Sequence, residues 1–133
     1  VRQLAEVSSN IYYHPAVSLE EVLEYTSSAD VGIHVIRNTC LNHYYCLPNK
    51  LFEYLNAGLP VIVSNMKEMA AFVNMYSVGV VAKAESSESL IEAIRELDSM
   101  DLMQCRRRAL SVCRQYCWEE QEQKLVSAYK EFC

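Results

Sequence analysis

The sequence predicts an α/β fold in which a parallel sheet carries helices on both faces. Three observations predict it. Residues 31–36, 61–63 and 78–82 are short apolar runs rich in β-branched residues, bounded by Asp30, Gly58, Pro60 and Ser77, which is how buried strands read. Helix-compatible segments with their own start and stop signals separate these runs. Strands that alternate with helices in this way are joined by right-handed crossovers, and the strands so joined run parallel.

The elements follow in order. Residues 1–9 read as the tail of a helix without a beginning, so the chain is expected to start inside a domain. Residues 10–14, Asn-Ile-Tyr-Tyr-His, form a strand candidate stopped by Pro15. Ser18 with Glu21 three residues on has the pattern of a capping box ahead of Val22, Leu23 and Tyr25. The run 31–36 is expected to be a strand covered on both faces, with His34 a hydrogen-bonded core histidine. Residues 37–48 show no period and hold Asn38, Asn42, His43, Tyr44 and Tyr45. A polar and aromatic loop of about a dozen residues in so apolar a chain points to function.

Residues 47–65 read as a loop, a short helix, a stop and a strand. Asn49 is expected to cap the helix, and Gly58 followed by Pro60 ends it. A helix of about eight residues is marginal alone in water and depends on packing. Its N-terminus carries partial positive charge, and the N–H groups of Lys50, Leu51 and Phe52 are placed to meet a phosphate. Glu53 lies one turn in. A turn is about 5.4 Å long, which spans the step from a nucleoside's phosphate to its sugar hydroxyls, so that carboxylate can accept from a ribose diol. The competing reading makes Glu53 a solvated acid that favours the helix N-terminal half, Lys50 a solvated first-turn lysine and Asn49 foremost a cap. Beyond this stretch, helices are expected over residues 66–75, from Ser87 through Leu90, Ile91, Ile94 and Leu97, over 101–116 and over 118–132.

With 51% apolar residues the chain can bury one core, so residues 1–133 are read as a single unit ending in the helices of 101–132. Twelve Lys and Arg against 17 Asp and Glu leave a net charge of −5 and argue against a nucleic-acid-binding module. No apolar run approaches the roughly 20 residues that span a bilayer, and no signal segment opens the chain, so a cytoplasmic location is expected. The six cysteines are Cys40, Cys46, Cys105, Cys113, Cys117 and Cys133. Cys105, Cys113 and Cys117 are expected on one helical stripe as buried thiols, and no Cys-x-x-Cys pair points to a metal. Nucleophile–histidine spacing, a Walker loop and a Gly-rich dinucleotide turn are all missing from the sequence. In parallel sheets ligands bind outside the carboxyl ends of the strands, which directs attention to residues 14–17, 37–48 and 64–66. His14 and His43 fall at such handovers.

Several segments in this order resemble a known family: Ala29-Asp30-Val31, Pro48-Asn49-Lys50-Leu51-Phe52-Glu53-Tyr54, Ala57-Gly58-Leu59-Pro60-Val61-Ile62, Gly79-Val80-Val81 and Ser89-Leu90. Together they are similar to the C-terminal, donor-binding domain of GT-B glycosyltransferases of the group 1 (family 4) kind. The ending Trp118-Glu119-Glu120 with Tyr129 is similar too. The resemblance implies part of a Rossmann-like domain, with Glu53 on the ribose of a UDP- or GDP-sugar, the loop around Pro48, Asn49, Lys50 and Leu51 on the diphosphate, and Val17 near the base. It implies no required metal or cofactor. Where the family often has a second glutamate, eight residues before the first, this chain has Tyr45. Asn42, His43 and Tyr45 are therefore candidates for the contact to the transferred sugar, and His43 and Tyr45 are weak catalytic candidates. The acceptor, a glycan or a lipid-linked or polysaccharide precursor, would be held by an N-terminal domain, and the whole protein could associate peripherally with the cytoplasmic face of a membrane. The resemblance further implies that residues 10–14 form a distant edge strand, that basic groups serving the leaving diphosphate lie outside these residues, and that the 133-residue chain alone is inactive.

Two other classes stay open. A nucleotide-sugar epimerase of the same fold would share the ribose glutamate but need further acid and base groups. A non-enzymatic doubly wound interaction domain resembling a response-regulator receiver would need an acidic cluster and a phosphoacceptor Asp at a strand end, where this chain has His14, Ile36 and Ser64.

Overall fold

The computed structural model of the protein describes residues 2–130. The expectations for Val1, Phe132 and Cys133 lie outside them. A short helix α1 (Arg2–Val7) is followed by α2 (Leu19–Ser27), whose start is fixed as its sequence predicts: the Glu21 carboxylate accepts from both the N–H and the hydroxyl of Ser18, at 3.1 and 2.9 Å. That carboxyl is held below its ordinary range, by the Ser18 hydroxyl first and the Ser18 N–H second. Then come β1 (Gly32–His34), α3 (Leu41–Tyr44), α4 (Asn49–Asn56), β2 (Val61–Ser64), α5 (Lys67–Tyr76) and β3 (Gly79–Ala82). The chain continues as α6 (Ser87–Asp98), α7 (Leu102–Gln115) and α8 (Trp118–Lys130).

The three strands form one parallel sheet in the order β1-β2-β3, with Gly32 opposite Val61 and Val61 opposite Gly79. The central strand β2 is buried along its whole length, and its period of two divides the core between the faces. Val61 and Val63 pack with Leu51 and Leu55 of α4, Met69 and Val73 of α5, and Ala109 and Val112 of α7. Ile62 turns the other way and joins Val80, Ala82 and the α6 residues Ala93 and Leu97. The fold is thus α/β, a parallel sheet layered with helices and closed by a helical C-terminus. Gly58 ends α4 at φ +71°, a backbone state that suits glycine. Gly32 is required for closeness, because a Cβ there would press too tightly against the Cβ and ring edge of Tyr54.

Several expectations are corrected. Residues 10–14 are not a strand. An extended segment is held only by a ladder of neighbours, and the described residues offer this one none. The strand expected over 31–36 shortens to Gly32–His34 and is not covered on both faces: it edges the sheet, with Ile33 44% exposed. His34 is half-buried and makes no hydrogen bond through its ring among the described residues. The stretch 37–48 is not all loop, since it encloses α3. Asn49 is not the cap of α4: Pro48 takes that position and Asn49 is the first helical residue. On α6, Ile91 and Ile94 remain almost half exposed, and the inward stripe runs instead through Ser89, Ala93 and Leu97. Cys105 is buried in α7 and Cys113 is half-buried there, but Cys117 falls past the helix end, off the predicted stripe. No described helix is long and apolar enough to cross a membrane.

Candidate functional site

The carboxyl ends of all three strands open on one side of the sheet. Between them lies a crevice of about 350 Å³ whose wall comes from the turns after β1, β2 and β3. Two cross-links fix its shape. The Ser64 hydroxyl, at the end of β2, donates to the carbonyl of Ile36 at 2.8 Å and accepts from the Ile36 N–H. The Glu85 carboxylate, in the turn after β3, accepts from the Asn38 N–H at 2.7 Å. The loop after β1 is therefore tied to the end of β2 and to the turn after β3.

The start of α4 borders a second groove, of about 360 Å³, whose other side is the apolar flank of α2 with Leu19, Val22 and Leu23. Lys50 and Glu53 stand on its polar side, their charged groups 3.0 Å apart and their side chains 50% and 40% exposed. The Lys50 ammonium is stabilised above its ordinary range chiefly by the hydrogen bond to Glu53. A surface pair of this kind contributes about 0–1 kcal/mol, so it parts or shares itself with a ligand at little cost. Pro48 precedes α4 and Asn49 is exposed at its first position. The Leu51 N–H, by contrast, already donates to the Pro48 carbonyl at 3.0 Å, and the Leu51 side chain is fully buried in the core. The amides at the first two helical positions, Asn49 and Lys50, are the ones that point outward from the helix end in such geometry.

The remaining candidates are spread out. His43, in α3, has its Nδ1 within 2.9 Å of the Arg37 carbonyl and 3.0 Å of the Thr39 hydroxyl, so it pins its own loop. Tyr45 is half exposed, with its ring 4.8 Å from the Lys67 ammonium at the start of α5 and edge-on to Tyr44. Asn42 is exposed on α3, and Val17 is half-buried just ahead of α2. His14 packs against Tyr25 with the rings tilted and their centres 4.6 Å apart, and its Nδ1 lies 2.8 Å from the Pro15 carbonyl. The structure therefore brings Lys50 and Glu53 together and sets Tyr45 beside Lys67. It keeps Val17, Asn42 and His43 out of both cavities. The turn with Lys83, Glu85 and Ser87 was missed in the sequence. The signal for it was present, since a third strand ending at the same edge must deliver its turn there. Among the described residues no three His, Cys, Asp or Glu side chains gather as metal ligands.

An open parallel sheet with a crevice at its carboxyl edge and a helix N-terminus beside it places the chain in the α/β class, in which that edge is where ligands are generally found. Within that class the chain belongs to the family of glycosyl transferases group 1, whose family model matches residues 1–99. It is a glycosyltransferase-type domain. The match stops short of α7 and α8. No curated protein and no solved structure matches the chain.

Proposed function

We propose that this domain binds the nucleoside-diphosphate part of a sugar donor at the start of α4, as the donor-binding portion of an enzyme that transfers the sugar to a glycan or lipid-linked acceptor. The observation that carries the reading is the half-exposed Lys50–Glu53 pair beside the amide end of α4. Glu53 accepts from the ribose hydroxyls, while Lys50 and the amides of Asn49 and Lys50 meet the diphosphate. Preorganised positive groups at that point stabilise the charge that builds on the departing diphosphate, which is the largest catalytic contribution in reactions of this kind. No metal or other cofactor is required for this binding. The transferred sugar extends past Tyr45, whose hydroxyl stands in for a carboxylate as its hydrogen-bonding partner. By itself the 133-residue chain binds donor without transferring sugar.

Calorimetric titration of UDP and of GDP into the protein tests the reading. One of the two binds, and Glu53→Ala weakens that binding by about tenfold or more, the effect of losing a charge-assisted hydrogen bond. Affinity unchanged by the substitution removes Glu53 from the ribose and the reading with it.

A further inference from the structure

The last helix, α8 (Trp118–Lys130), lies beyond residues 1–99 that the family match covers, and it buries none of its residues against the rest of the described chain. Yet it is not polar all round. Trp118, Leu125 and Tyr129 recur at helical spacing, which brings them to one stripe, and they are 65%, 50% and 67% exposed. Val126, 44% exposed, adjoins them, and a hollow opens between Leu125, Val126, Tyr129 and Lys130. An apolar stripe left in water in this way marks a contact surface. We propose that it is the interface with a second copy of this chain, the two α8 helices packing antiparallel about a two-fold axis.

The distribution of charge selects this occupant. The carboxylates of α8, on Glu119, Glu120 and Glu122, all fall in its first half, while Lys124 stands at its middle and Lys130 at its end. Glu119 and Lys130 are separated by about three full turns, so both flank the stripe on the side of Val126. A two-fold axis midway between Lys124 and Leu125 sets Glu119 of one helix level with Lys130 of the other, and the symmetry makes the pair twice. A parallel arrangement would set Glu119 against Glu119. The same axis brings the two copies of Leu125 together at the centre and Trp118 of each copy close to Tyr129 of the other. Glu122 interrupts the stripe between Trp118 and Leu125, and a polar residue in an apolar seam fixes register at a cost in stability. At a net charge of −5 two copies repel at long range, so the stripe supplies the attraction and the flanking charges choose the direction. An anionic bilayer suits this helix less well, because interfacial helices are rich in Lys and Arg and α8 has more acids than bases. A helix about 20 Å long makes an interface at the small end, below about 1,200 Å², which corresponds to a dimer that dissociates at about 10–100 μM.

Sedimentation equilibrium of the protein from about 1 to 500 μM, a range that brackets that constant, tests the proposal. The buffer is reducing, so that no disulfide joins two chains. The wild-type protein is expected to pass from monomer to dimer and no further, since a two-fold contact closes on itself. Leu125→Gln keeps a good helix former and is expected to leave a monomer with unchanged melting. If it disturbs the fold, Tyr129→Gln takes its place. Glu119→Lys and Lys130→Glu each turn both ion pairs into repulsions and are expected to weaken the dimer about tenfold. An equimolar mixture of these two variants pairs opposite charges again and is expected to recover the wild-type constant. A wild-type monomer at every concentration overturns the proposal and leaves the stripe to another domain or a bilayer, which flotation with phosphatidylcholine–phosphatidylglycerol vesicles tells apart. A dimer that survives Leu125→Gln, or one whose strength ignores both charge reversals, or a mixture that recovers nothing, overturns it equally.

Discussion

Ser64→Ala removes one oxygen and leaves two backbone groups without partners. Ser64 is 4% exposed at the end of β2, and its hydroxyl serves both the N–H and the carbonyl of Ile36, a residue beyond the last paired position of β1. That hydroxyl is therefore what carries the β1–β2 pairing one step further. A buried backbone group left unpaired costs about 1–3 kcal/mol, and because Ile36 is only part-buried the low end applies to each, giving about 2 kcal/mol in total. Against the roughly 5–15 kcal/mol that holds a domain folded, such a loss is large. Urea denaturation is the assay, with the midpoint compared at constant slope. Ser86→Ala is the control, since its hydroxyl makes a single capping bond to the Ser89 N–H and its removal costs about 1 kcal/mol. Ser64→Ala is expected to shift the midpoint about twice as far and to speed amide exchange at Ile36 and Asn38. A shift no larger than that of Ser86→Ala refutes the reasoning.

Three further outcomes are expected. Gly32→Ala drives a Cβ into the Tyr54 ring and destabilises the fold by about 1–3 kcal/mol as an overpacked core does, and Tyr54→Ala in the same chain recovers part of the loss by a coupling measurable in a double-mutant cycle. His34 is held below its ordinary pKa by burial first and the Lys50 charge second. The unfolded chain therefore takes up a proton before the folded one, so stability falls as pH drops from about 6.5 through the folded value, and His34→Gln removes that slope in pH-dependent melting. In timed alkylation the exposed Cys40 reacts ahead of Cys46, Cys105, Cys113 and Cys117, the other cysteines among the described residues. Cys105 reacts last, being 1% exposed and having its thiol pushed up by burial.

Much of the architecture was readable because it is locally encoded. β2 and β3 are continuous apolar runs, α2 has its capping box, α6 and α7 have Ser86 and Asp101 at their starts, and Gly58 with Pro60 stops α4. The failures concern what only partners decide. Residues 10–14 have strand composition but no neighbour to pair with among the described residues, and 31–36 has the composition of a covered strand but lies at an edge. Composition reports what a segment can bury, whereas the sheet decides what it does bury. Likewise Pro48 displaced Asn49 from the cap by a single position, a difference that sequence signals at helix ends do not resolve. At the site, the Lys50–Glu53 pair follows from i,i+3 spacing on one helix. The crevice required knowing that residues 36, 64 and 85 converge, which only the register of three strands reveals.

The central claim is that Glu53 receives a ribose diol, and it is tested most directly by removing the diol instead of the acid. The affinities of UDP and GDP and of their 2′,3′-dideoxy counterparts are measured on the wild-type protein and on Glu53→Gln. For the nucleotide that binds, loss of the hydroxyls is expected to weaken wild-type binding by about tenfold or more and to weaken binding to Glu53→Gln far less, because the charged acceptor is then already gone. An equal penalty in both proteins, or none in the wild type, contradicts the account.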